Sequence, residues 1–77
     1  MNDAFIALQN RDELRDTLFF AGFDSQYSRD TVQGKKVYVF RTDKFNLTLQ
    51  GKSIIINDEK FKSVREAKRY ICERFVR

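Results

Sequence analysis

Between Lys35 and Ile56 apolar residues fall at nearly every second position, whereas on either side they recur every three or four residues. A period of two belongs to a half-buried strand and a period near 3.6 to an amphipathic helix. The chain is therefore expected to run helix, meander, helix. Gln33-Gly34-Lys35 and Gln50-Gly51-Lys52 repeat one turn chemistry, in which glycine suits the positive φ at the first central position of a type II′ hairpin. With Thr42-Asp43-Lys44 as the intervening turn, the strands span 27–33, 36–41, 45–50 and 53–57, the first alternating poorly. The expectation is an α+β fold: N-terminal helical segments, a three- or four-stranded antiparallel meander, and a C-terminal helix packed on one sheet face.

Residues 3–9 predict a short helix capped by Asn2 or Asp3, and the loss of its apolar phase predicts a break near Asn10. A second helix then starts with Asn10 as N-cap, Glu13 in the capping-box position, and Leu14, Leu18 and Ala21 along one face. Gly22 ends it, with Phe23 placed to meet Leu18 as in a Schellman ending. The last helix opens on Ser63 and Glu66, an S-x-x-E box, and carries Val64, Ala67, Ile71 and Phe75 at spacing 3,4,4. Lys62, Arg65, Lys68, Arg69, Arg74 and Arg77 make most of its remaining surface positive.

Which sheet face the aromatics see depends on one loop. A Gly51-Lys52 turn pairs Leu49 with Ile54 and Leu47 with Ile56, so these four side chains and Phe45 share the core face while Ile55 and Thr48 point away. A three-residue loop at 42–44 pairs Val39 with Leu47 and Val37 with Leu49, and turns Tyr38 and Phe40 outward. A two- or four-residue loop reverses the strand. The first register extends the aliphatic core and is preferred. It gives a core of Leu14, Leu18, Phe23, Val37, Val39, Phe45, Leu47, Leu49, Ile54, Ile56, Val64, Ala67, Ile71 and Phe75. Its outer face displays Tyr27, Arg29, Thr31, Lys36, Tyr38, Phe40, Asn46, Thr48, Gln50 and Ile55.

Charge sharpens interest in that face. The net charge is +4, but residues 1–26 hold two cations against five carboxylates, and residues 27–77 hold 13 against six. An acidic front joined to a basic back favours an anionic partner for the back half, although a small domain also keeps net charge for solubility. At 77 residues the chain is one domain, 1–77. No His and a single Cys exclude a soft-ligand metal site and a catalytic triad, and Cys72 is expected to be a small buried or half-buried helix residue. With no signal-like segment and no long apolar run, a cytoplasmic protein without a membrane role is expected.

Aromatic rings interleaved with cations and amides suit unpaired bases, the rings for base faces, the cations for phosphates and the amides for base edges. Similar residues serve a sheet inserted in a DNA major groove. The expected function is thus non-catalytic nucleic-acid binding through Arg29, Lys36, Tyr38, Phe40, Asn46, Thr48 and Ile55, helped by Arg65 and Arg69 of the basic helix, with no cofactor or metal. The alternatives are that N-terminal residues with Phe5, Ile6 and Leu8 cover this face, or that its apolar centre is a homodimer or partner interface. The latter would make the chain a protein-binding module or inhibitor of a host protein, as small proline-free phage and plasmid accessory proteins are. The one nuclease-like pattern, Asp43 followed by Asp58-Glu59-Lys60, also reads as an exposed turn. Finally, FKSVREAKRYI, Phe61 to Ile71, resembles the Phe-x-Ser/Thr-x-x-Glu-Ala ending of AP2-like integrase arm-binding domains, with Tyr70 where a tryptophan is often seen. That resemblance implies a three-stranded sheet, followed by a helix, that reads DNA.

Overall fold

The structure is a computed structural model that describes residues 3–76; the expected cap at Asn2 and the charge of Arg77 lie outside the described residues. Helix α1 (Asp3–Phe20) is followed by strands β1 (Gln26–Val32), β2 (Lys35–Arg41), β3 (Asn46–Gln50), β4 (Ser53–Ile56) and β5 (Glu59–Phe61), and the chain ends in helix α2 (Val64–Phe75). The strands form one antiparallel meander in sequence order. Helix α1 packs over β2 and β3, and α2 packs over β4 and β5 and against α1. Both helices therefore lie on one side, and the other side of the sheet carries no element of the described chain. The α+β class is as expected. The sheet, however, has five strands, because Asn57 and Asp58, at φ 48° and 73°, form a two-residue turn that returns the chain as β5.

The register of β2 against β3 differs by one residue from the preferred expectation. Val39 faces Thr48 and Phe40 faces Leu47, so Tyr38 and Phe40 share a side with Leu47, Leu49, Ile54 and Ile56. Because side chains alternate, this single step turns the whole strand over. Its cause is the loop Thr42–Phe45. The Thr42 hydroxyl accepts from the backbone N–H groups of Lys44 and Phe45 and donates to the Phe45 carbonyl, closing four residues where three were expected. Packing agrees, since an aromatic side chain buries about 150–250 Å², and two of them fill the space beneath the helices better than two valines. Tyr38 and Phe40 are 5% and 1% exposed within the helix-side core. Val37 and Val39, expected in that core, project from the opposite face.

The helices meet expectation in part. Helix α1 is continuous through Asn10, and neither a break nor an Asn10 cap forms. Its buried residues are Ala7, Leu14 and Leu18, and the apolar stripe looked interrupted because Arg11 occupies the slot between them. The Arg11 side chain fills that slot by lying against the rings of Tyr38 and Tyr27, at 5.3 and 5.9 Å from their centroids. At the other end Gly22, at φ 84°, closes the expected Schellman motif: Phe23 N–H donates to the Leu18 carbonyl and Gly22 N–H to that of Phe19. Helix α2 is as read, with the Ser63 hydroxyl accepting from Glu66 N–H and Val64, Ala67 and Ile71 buried. Glu13, expected in a capping box, instead accepts a 3.0 Å hydrogen bond from Lys68 and ties α1 to α2.

Candidate polyanion-binding face

Cross-strand register fixes what the open side of the sheet displays. One row crosses all five strands as Ser28, Val39, Thr48, Ile55 and Lys60; a second runs Asp30, Val37, Gln50 and Ser53; a third runs Gln26, Arg41 and Asn46. Lys35 lies at the end of the same face, opposite Val32. The aliphatic centre is small. Val37 is only 5% exposed and Val39 and Ile55 are half-buried, so the accessible surface belongs mainly to Lys35, Arg41, Lys60, Asp30, the amides and the hydroxyls, with Val32 exposed at the edge. No aromatic ring of the described strands points to this side.

At one end of this face the turns Gln33-Gly34 and Gly51-Lys52 stand side by side, since alternate turns of a meander fall at the same end. They border a cleft of about 780 Å³ lined by Ala7, Gly34, Lys35, Lys36, Tyr38, Gln50, Gly51, Lys52, Ser53 and Lys60. Four lysines and, among the described residues, no carboxylate line it, and Lys52 is already engaged in an interaction of its own. Lys35, Lys36 and Lys60 make no ion pair with a described residue, whereas Lys68 and Arg69 are held by Glu13 and Glu73. Acidic residues collect at the far end, with Asp43 in the Thr42–Phe45 loop and Asp58 in the β4–β5 turn. Like charges gathered around a concave surface attract multivalent anions.

The residues singled out in the sequence divide among three surfaces. Asn46, Thr48 and Ile55 do share the open face. Tyr38 and Phe40 are buried under the helices, which removes them as stacking rings, while Arg29 and Lys36 project on the helix side as exposed residues, with Lys36 at the cleft. Tyr27 also lies on that side, stacked on Tyr38 and accepting a 3.3 Å hydrogen bond from the Arg11 guanidinium. That hydroxyl, followed by the Asp12 carboxylate, raises the pKa of Arg11 above its ordinary value. Arg65 and Arg69 sit on the outer surface of α2, with Arg69 bound to Glu73 at 2.9 Å. Cys72, expected to be at least half-buried, is exposed. Among the described residues no three acidic or cysteine side chains gather as a metal site.

Lys35, Lys52 and Lys60 were missed as site residues. The signal for two of them was present in the repeated Gln-Gly-Lys, which an up-and-down meander brings together. No protein-family model, curated protein or solved structure matches the chain. The AP2-like ending is confined to a capped helix, Ser63 to Ile71, preceded by Phe61, whose ring packs tilted against Tyr70 at 4.9 Å, beside a sheet of five strands where that resemblance implied three. No helix of the described residues is long and apolar enough to cross a membrane.

Proposed function

We infer that the protein is a non-catalytic nucleic-acid-binding protein that holds the phosphate backbone, with the lysine cleft as its anchor and the open sheet face as its flank. The observation that carries this reading is the cleft itself: Lys35, Lys36 and Lys60 without an ion pair to a described residue, no carboxylate among the described lining residues, and hydroxyl and amide donors from Ser53 and Gln50. The chemistry differs from that expected of the sequence. With Tyr38 and Phe40 inside, stacking of unpaired bases loses its platform. Five strands spaced at about 4.8 Å span about 19 Å, too wide to enter a major groove about 12 Å across. What remains is charge-driven contact with phosphates, which carries little sequence information.

Fluorescence-anisotropy titrations with single- and double-stranded oligonucleotides at two salt concentrations test it. Three neutralised phosphates, one each for Lys35, Lys36 and Lys60, give a slope of log K against log salt of about −2.7 for duplex, so binding weakens about 40-fold between 50 and 200 mM salt. Saturable binding of both strand forms with that dependence is expected; no saturable binding at 50 mM salt refutes the reading. A second reading, a protein-binding module or inhibitor, is favoured by the contiguous Val39–Thr48–Ile55 row. Under it, a nuclease-resistant partner is captured by the wild type and lost on Ile55→Asp.

A further inference from the structure

The outer surface of α1 carries a second feature that phosphate binding does not use. Leu8, Asp12, Arg15 and Phe19 follow one another at spacing 4,3,4, the spacing of a helix-packing seam, on the side away from buried Ala7, Leu14 and Leu18. The two apolar ends of this stripe are exposed, Leu8 at 37% and Phe19 at 74%, and Phe20, 84% exposed, sets its ring edge-on against Phe19 at 5.6 Å. Between them Asp12 and Arg15, with side chains 52% and 60% exposed, form a loose 4.0 Å pair within the helix, and Asp12 also holds Arg11 at 2.9 Å, so the pairing across copies exchanges partners at a solvent-exposed site. Rings this exposed on a small domain mark an interaction surface more often than an isolated apolar residue does.

The order of the stripe, apolar, acidic, basic, apolar, is its own complement when read backwards. We propose that α1 pairs antiparallel with α1 of a second copy about a two-fold axis between Asp12 and Arg15. Leu8 of each copy then meets Phe19 of the other, and Asp12 of each meets Arg15 of the other. A two-fold interface requires this self-complementarity, in which residue i contacts j and j contacts i. Charge complementarity selects the arrangement: the parallel alternative sets Asp12 beside Asp12 and Arg15 beside Arg15 at no separation along the axis. The room also exists, because the backbone of neither helix in the described chain comes close to β1, which α1 meets through Arg11 on Tyr27, so the side of α1 that bears Leu8 and Arg15 is left open. From Leu8 to Phe19 the seam is about 17 Å long at 1.5 Å per residue, which is short of the roughly 800 Å² per partner of a tight complex. The dimer is accordingly a weak one, formed at high micromolar concentration.

Sedimentation equilibrium over about 10 μM to 1 mM tests this without any nucleic acid, so its outcome is independent of the anion reading. The wild type should show a monomer–dimer equilibrium. Phe19→Ser, Asp12→Arg and Arg15→Asp should each weaken it by about tenfold or more, and the exchanged pair D12R/R15D should restore association to near the wild-type level. All three substitutions are at exposed positions, and far-ultraviolet circular dichroism checks that each of the four variants remains folded. A wild type that stays monomeric at 1 mM overturns the proposal. So does a dimer indifferent to Phe19→Ser and the single charge reversals, or one that the exchanged pair fails to restore.

Discussion

Replacing Phe40 with alanine separates the observed register of β2 from the alternative one. In the structure Phe40 is 1% exposed, faces Leu47 across the strand pair, and sets its ring 5.1 Å from that of Tyr27. Burying an aromatic side chain removes about 150–250 Å² from water, and at about 25 cal/mol per Å² this amounts to about 4–6 kcal/mol. Alanine retains part of that burial, and truncations of this kind cost about 3–5 kcal/mol. A 77-residue domain at about 0.05–0.15 kcal/mol per residue has about 4–12 kcal/mol in total, so Phe40→Ala should remove a large fraction of it. Val39, half-buried on the open face, should lose about 1 kcal/mol or less on Val39→Ala. Urea titrations followed by circular dichroism measure both, with the midpoint falling sharply for Phe40→Ala at an unchanged slope. A cost below about 1 kcal/mol for Phe40→Ala, together with a larger cost for Val39→Ala, would mean that the strand faces the other way.

Ile71→Ala, at a fully buried position of α2, should cost about 2–5 kcal/mol by the same titration. Gln33 sits at φ 52° as the first residue of a two-residue turn before Gly34; Gln33→Asn creates the sequence this turn prefers and should raise the urea midpoint, corresponding to about 0.5–1 kcal/mol. Arg11→Ala removes the cation stacked on Tyr38 and Tyr27, and a double-mutant cycle with Tyr38→Leu should return a coupling of about 0.5–2 kcal/mol.

Elements whose local chemistry and tertiary role agree were legible in the sequence. Ser63 and Glu66 mark the start of α2, its 3,4,4 stripe gives the packed face, and Gly51-Lys52 sets the β3–β4 register. Reading failed where a side chain did the work usually assigned to backbone or to an apolar residue. The Thr42 hydroxyl lengthened a loop by one residue and turned Tyr38 and Phe40 inward. Arg11, a charged residue filling an apolar slot, hid the continuity of α1. Strand β5 was missed because its turn, Asn57-Asp58, has no glycine and because Phe61 is its one large apolar residue. Of the candidate residues, Asn46, Thr48 and Ile55 lie on the open face as read and Lys36 lies instead on the helix side, while the cleft needed two turns far apart in sequence to be seen as neighbours.

The salt dependence of duplex binding, compared between Lys36→Ala and Lys44→Ala, tests the phosphate-anchoring role of the cleft most directly. Lys36 lines the cleft; Lys44 lies at the opposite, acidic end of the strands beside Asp43. Both variants lose one exposed positive charge, so net charge alone affects them equally. Removing one phosphate contact lowers the magnitude of the slope of log K against log salt by about 0.9. The slope should fall by that amount for Lys36→Ala and stay at the wild-type value for Lys44→Ala. Equal falls in the two variants, or no change for Lys36→Ala, would contradict a phosphate anchor in the lysine cleft.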